Sequence, residues 1–153
     1  MDHALLKWIH ILSATILFGT GIGSAFLMFT ANRRKDVAGV YFAARHVVIA
    51  DWLFTTPAVL VQLATGLLLL RVTGYSLADR WVALGLILYF FAGACWLPVV
   101  WIQVKMRDLA RAALDAGAPL PPAYWTLDRW WIGLGCLAFP AVAAIFYLMV
   151  AKP

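Results

Sequence analysis

The residue with the clearest chemical potential in this chain is His10, which lies inside an apolar run over residues 5–29. As a helix that rises about 1.5 Å per residue, this run spans the hydrocarbon core of a bilayer, which is about 30 Å thick. An ionisable side chain there costs about 2–3 kcal/mol or more without a partner, so it marks a functional site by default. Neutral imidazole is a good ligand for haem iron, and helical bundles commonly enclose haem. We therefore predict His10 as the metal ligand of a haem b. The alternative is a structural histidine that bonds a backbone carbonyl or a neighbouring Ser or Thr and helps to pack the bundle.

Several residues of this run share one face of the predicted helix with His10. They recur every three or four positions, so the face is expected to meet protein or cofactor rather than lipid; its members are Lys7, His10, Ser13, Leu17, Thr20 or Gly21, and Ser24. Gly19 and Gly21 lack side-chain bulk and would let a helix or a flat macrocycle approach the backbone. Lys7, with Arg71 or Arg80 at the same end, is predicted to pair with haem propionates.

A second polar stripe follows the next apolar run. Asp51, Thr55, Ala58, Gln62 and Thr65 recur with the alternating spacing of a buried helix seam. One interpretation is that Thr and Gln side chains hold helices together by hydrogen bonds and that Asp51 pairs with a basic partner; the candidate partners are Arg45, His46 and Arg129. The other is that the seam lines a cofactor cavity or a proton path in which Asp51 gives or takes the proton, with Gln62 at the cofactor. The aromatic candidates to line such a pocket are Trp52, Tyr89 and Trp96.

The composition defines the elements that must position these residues. Of the 153 residues, 65% are hydrophobic and only 12% are charged, which is typical of an integral membrane protein. Four apolar runs predict membrane spans at about 5–29, 47–70, 81–104 and 130–150, so the fold class is an all-α integral membrane four-helix bundle in a single domain, 1–153. Pro57 predicts a kink. The connection after the first span is predicted to include a short interfacial helical turn, and residues 107–129 are predicted to be an amphipathic turn or two followed by a proline-rich loop on the membrane surface.

The net charge of +5 does not indicate nucleic acid, because the basic residues flank the apolar runs as membrane topology requires. Lysine and arginine concentrate in the first and third connections, which predicts both termini outside (N-out/C-out) in a bacterial inner membrane, crossed several times. His46 then lies more than about 20 Å in depth from His10 and cannot ligate the same haem in one protomer. The segment GTGIGSAF resembles a dinucleotide fingerprint only superficially, because no strand precedes it.

The first helix carries a family resemblance. The stretch KWIHILSATILFGTG resembles the opening of HemJ-type protoporphyrinogen oxidases, with Lys7, His10 and then Gly19 or Gly21 at the matching positions. TTPAVLVQLATGLLLL resembles the second helix of that family at its Pro and Gly, and Trp81 opens the third helix. The resemblance implies a haem b ligated by His10. Gly85 stands where that family has a required lysine, with Arg80 as the nearest cation, so the match departs from the family at the residue its oxidation chemistry needs.

The end of the third span, WLPVVWIQVKMRDLA, resembles an uncharacterised bacterial family of four-helix membrane proteins, distantly similar to HemJ and to CopD-like copper-resistance domains. The leading hypothesis is a small membrane haem b protein with a redox role, either a HemJ-like oxidase or an electron carrier, with a quinone or another redox partner. It contacts the lipid bilayer and is a candidate homo-oligomer. The alternatives are a cofactor-free interaction or assembly subunit, and a small proton or ion transporter that uses Asp51 and Gln62.

Overall fold

A computed structural model describes residues 2–152, and this part of the chain is built from long helices joined by short turns. The elements, in chain order, are α1 (His3–Arg34), α2 (Val37–Ala50), a π-helix (Asp51–Thr55), α3 (Thr56–Thr73), α4 (Arg80–Asp115) and α5 (Pro122–Ala151). The second, third and fourth of these form one continuous rod over Val37–Thr73. The rod and the other three helices are each long and apolar enough to cross a membrane, which confirms the predicted all-α membrane bundle.

The helices are longer than the predicted spans at one end of the bundle. We call this the basic end; it holds the turn at Lys35 and Asp36 and the loop over residues 116–121. Lys35 adopts a left-handed conformation (φ 56°), and the Asp36 carboxylate accepts the N–H of Gly39 at 2.8 Å, so one helix stops and the next starts within two residues. The connection predicted between the first two spans is indeed helical, but its helix belongs to α1 and α2, which continue into it from both sides.

The segment predicted at residues 107–129 is helical in its amphipathic part, but its loop is much shorter than predicted. α4 continues to Asp115 and α5 begins at Pro122, so only residues 116–121 connect them. The reason is packing: Ala110 and Ala113 are buried, which gives the amphipathic segment a protein surface to cover instead of a membrane surface. With 36 residues, α4 extends about 54 Å, well beyond a bilayer core of about 30 Å.

The main hydrophobic core lies towards the basic end. It is formed by Met28, Val40, Ala43, Ala44, Val47, Ile102, Met106, Ala110, Tyr124 and Trp131. A smaller cluster of Trp81, Val82 and Leu148 lies at the opposite end. Many large apolar side chains elsewhere are exposed, for example Phe26 at 69% and Leu97 at 66%. Such a surface is suited to lipid rather than water.

The helices pack in pairs that matter for the site. α4 packs most extensively against α5, α1 packs against α3, and α2 packs against α4. Aromatic edges join α1 to α5, where Phe18 lies 5.9 Å from Phe139 and 5.3 Å from Phe146 between ring centroids. The long rod therefore meets α1 through α2, the π-helix and α3, and it meets α4 mainly through α2, the half nearer the basic end.

The π-helix explains how one rod serves two partners. Pro57 has no N–H and its ring obstructs a regular helical turn, so a wider turn before it relieves the clash. The N–H of Thr56 accordingly donates to the carbonyl of Asp51, five residues back. The irregularity predicted at Pro57 is therefore a π-helix that directly precedes the proline. A wide turn changes the phase of all residues that follow it relative to those before it.

Candidate functional site

His10 extends from α1 onto α3 and is held at both ring nitrogens. Its Nδ1 lies 2.8 Å from the Thr65 hydroxyl oxygen, and its Nε2 lies 3.0 Å from the Gln62 side-chain nitrogen. The Thr65 hydroxyl donates to the carbonyl of Val61 at 2.6 Å, so it accepts from Nδ1–H. The Gln62 amide donates to Nε2. This arrangement fits a neutral imidazole with its proton on Nδ1 and its lone pair on Nε2.

Two further residues complete what we call the His10 cluster: His10, Ser13, Gln62, Thr65 and Gly66. The Ser13 hydroxyl donates towards Gln62 Oε1 and lies 2.9 Å from the carbonyl oxygen of His10, so it fixes the amide that caps the ring. A Cβ on Gly66 would lie 3.3 Å from His10 Cε1. The absence of a side chain at this position makes room for the imidazole. The predicted residues His10, Gln62 and Thr65 thus converge.

Other predicted site residues are not brought to this cluster. Lys7 and Arg80 are exposed and form no ion pair among residues 2–152. A Cβ on Gly19 would meet nothing within 4 Å, so no helix in the described part of the chain approaches closely there, whereas a Cβ on Gly21 would lie 3.2 Å from the ring of Phe139. The predicted inward face of the first helix holds from His10 onward, where Ser13 and Ser24 are buried.

The polar seam predicted on the second helix divides into two clusters. Gln62 and Thr65 belong to the His10 cluster and face α1. Asp51 and Thr55 are buried, and the Thr55 hydroxyl donates to Asp51 Oδ1 at 2.8 Å. The physical cause is the π-helix, because the spacing argument assumes a regular α-helix throughout and the wide turn shifts the phase between the two halves.

Asp51 does not form the predicted ion pair. Within residues 2–152 the two ion pairs are Arg107–Asp108 and Arg111–Asp115. His46 contacts its own helix instead, because its Nδ1 lies 2.7 Å from the carbonyl oxygen of Phe42. Trp52 is 61% exposed, so it does not line an interior pocket as predicted.

The side chains beside Asp51 come from α4, and their grouping was not predicted. Trp96 and the buried Gln103 lie against the Asp51 carboxyl. We call Asp51, Thr55, Trp96 and Gln103 the Asp51 cluster. Gln103 sits seven residues after Trp96 in an apolar span, which is two helical turns on one face, and this spacing was the signal available in the sequence.

A third polar contact joins α1 to α5 at the basic end. The Asn32 amide donates to Asp128 Oδ1 at 2.8 Å and its oxygen accepts the hydroxyl of Tyr124 at 2.7 Å. Tyr124 is fully buried. These residues fall in segments that the sequence pattern assigned to connections, so their partnership was not predicted.

Metal ligation at His10 would be by a single protein side chain. Among residues 2–152, no group of three His, Cys, Asp or Glu side chains is placed to hold a bare metal ion. A porphyrin brings four nitrogen ligands of its own, so one histidine is the donor set that a haem requires from the chain.

The fold and its buried polar clusters define this chain as a four-helix integral membrane protein. A family model described as predicted integral membrane protein (DUF2269) matches residues 4–153, and the chain belongs to that family. This confirms the predicted membership of an uncharacterised membrane family. No curated protein and no solved structure matches the chain.

Proposed function

We propose that this protein is a membrane haem b protein in which His10 is the axial ligand and which has a redox role. The observation that supports the proposal is the hydrogen bond at Nδ1: the Thr65 hydroxyl donates to Val61 and accepts from Nδ1–H, which puts the lone pair of the ring on Nε2. Metal-ligating histidines almost always donate their second nitrogen in this way, which orients the ring and raises its basicity. When bound, haem b would supply one-electron chemistry.

Haem binding at His10 would require one rearrangement. The Gln62 amide donates to Nε2 at 3.0 Å, and it would have to give up this bond before Nε2 could hold a metal. Gln62 then keeps Ser13 as a partner close by. Thr65 and Gly66 hold the ring in either state. The resemblance to HemJ- and CopD-like proteins supports the same proposal, as an oxidase or as an electron carrier to a quinone or another redox partner.

The test is an absorption spectrum of the purified protein, oxidised and then reduced, after expression with haem precursor. We expect a Soret band and sharpened bands on reduction. His10→Ala should remove them, while His46→Ala, whose ring bonds its own helix, should retain them. Thr65→Val should weaken haem binding about 10- to 100-fold because it removes the partner of Nδ1. A colourless protein that takes up no added haemin would refute the proposal.

A second candidate function rests on the same hydrogen bonds. Both nitrogens of His10 are already bonded by α3, so the cluster also suits a cofactor-free membrane interaction or assembly subunit in which it joins α1 to α3. Such bonds contribute about 0.6 kcal/mol each in a membrane. In that case His10→Ala would lower thermal stability in a protein that never shows a Soret band.

The third alternative, a proton or ion path through Asp51 and Gln62, has less support. The two residues belong to separate clusters and lie about 16 Å apart along the rod. Between Thr55, which belongs to the Asp51 cluster, and Gln62, the buried side chain on this stretch is Ala58, which carries no polar group. Flux of protons into liposomes that Asp51→Asn abolishes would favour this alternative over the haem proposal.

A further inference from the structure

The Asp51 cluster holds three buried polar atoms that lack a hydrogen-bond partner. Asp51 is 5% exposed and Gln103 is 4% exposed, so both are more than nine-tenths buried. Thr55 occupies only one carboxyl oxygen of Asp51, at 2.8 Å. Asp51 Oδ2, Trp96 Nε1 and Gln103 Oε1 have no partner, although Trp96 and Gln103 lie against that carboxyl. Buried polar groups are nearly always paired, and here two acceptors, Asp51 Oδ2 and Gln103 Oε1, lie side by side with no donor between them.

The charges around the Asp51 carboxyl indicate its protonation state. The side chains that interact with the Asp51 carboxyl in the described chain are those of Thr55, Trp96 and Gln103, none of which carries a charge. The ion pairs of residues 2–152 lie elsewhere on α4. An ionised carboxylate buried in a membrane span without a cation is strongly disfavoured.

We propose that the Asp51 cluster is a proton-binding site, in which Asp51 Oδ2 carries a proton that it donates to Gln103 Oε1. Protonation removes the buried charge and converts Oδ2 from an acceptor only into a donor that still accepts. The proton therefore supplies the missing donor between two neighbouring acceptors, Asp51 Oδ2 and Gln103 Oε1. Trp96 Nε1–H lies beside the same carboxyl and is a donor to it in either protonation state.

The backbone places this site at the irregular turn of the rod. Asp51 begins the π-helix, and its carbonyl accepts from the N–H of Thr56. Interruptions of this kind are frequent at functional sites because they turn side chains out of the regular helical phase. The site shares no residue with the His10 cluster, so it stands whether or not a haem binds there.

The test is infrared spectroscopy of the protein in lipid vesicles at neutral pH, because a carboxylic acid and a carboxylate absorb in separate regions. The chain has only seven acidic side chains, all of them Asp, so the spectrum can be assigned by substitution. We expect a band of protonated acid that Asp51→Asn removes and that Asp128→Asn retains. Asp128 is the matched control because it is partly buried but bonded by Asn32. Gln103→Leu should shift the band, since the acid loses its acceptor.

Several results would overturn the proposal. The first is a spectrum without protonated acid at neutral pH, which would mean that Gln103 and Trp96 both donate to a carboxylate. The second is a band unchanged by Asp51→Asn. The third is a melting temperature that rises when sodium or potassium replaces choline in wild type but not in Asp51→Asn, which would make the site one for a metal cation. If Asp51→Asn fails to fold, the Gln103→Leu variant tests the proposal instead. A protonated-acid band that Gln103→Leu does not shift would mean that the acid is not Asp51.

Discussion

Gly66→Ala should weaken the contact between α3 and His10, although alanine is the better helix former. A Cβ at this position would lie 3.3 Å from His10 Cε1. Carbon atoms pack best at about 3.5–4.0 Å, so the ring must move by a few tenths of an ångström. It cannot move freely, because Thr65 and Gln62 hold its two nitrogens at 2.8 and 3.0 Å.

The size of the effect follows from a comparison with Gly19→Ala. Both glycines are helical and both gain about 1 kcal/mol of helix propensity on substitution by alanine. A Cβ on Gly19 meets nothing within 4 Å, so that variant keeps the whole gain. Forcing an extra methyl into a filled contact costs about 1–3 kcal/mol. The free energy of unfolding of the Gly66→Ala variant should therefore be about 1–3 kcal/mol lower than that of the Gly19→Ala variant.

The assay is reversible unfolding in mixed micelles, with both variants measured beside wild type. A double-mutant cycle isolates the cause, because His10→Ala removes the ring that the new methyl would strike. In the His10→Ala background, Gly66→Ala should be neutral or stabilising. Equal stabilisation by Gly66→Ala and Gly19→Ala in the native background would refute the packing that we assign to His10.

Three further predictions concern the rest of the bundle. Tyr124→Phe should lower the free energy of unfolding by about 1–3 kcal/mol in the same assay, because it leaves the buried Asn32 oxygen without its donor; no change would mean that water replaces the hydroxyl. Asp36→Ala should cost about 1 kcal/mol, since its carboxylate caps the start of α2, and Asp36→Asn should restore most of this. A small permeant thiol reagent should modify Cys136, which is exposed, before the buried Cys95, as read by mass spectrometry, whereas equal rates would contradict the packing of α4.

Much of the candidate site was accessible from the sequence where helices are regular. His10, Gln62 and Thr65 were predicted as polar residues on inward faces, and the structure brings them together. Lys7 and Gly19 were assigned to the same site by spacing and resemblance, but they are exposed. Periodicity determines which residues share a face of a helix. It does not determine how far along that face a neighbouring helix stays in contact.

The predicted partners of Asp51 show a second limit. Basic residues near it in the sequence were proposed as partners, yet its neighbours are Trp96 and Gln103 on α4. Pro57 was recognised, but the wide turn that precedes it changes the helical phase by an amount that the residue types do not encode. The seam was therefore read as continuous when it serves two helices.

The four membrane-crossing helices of this protein were determined by the sequence alone, because length and apolar content suffice to select a helix that satisfies its own backbone in lipid. The extension of those helices to the basic end was decided by tertiary packing, which gives residues such as Ala110 a protein surface to cover. Tertiary packing also decided the contacts of Asn32 with Asp128 and of Asp51 with Gln103. Polar pairs between helices depend on rotation and depth, and these are set only when all the helices pack together.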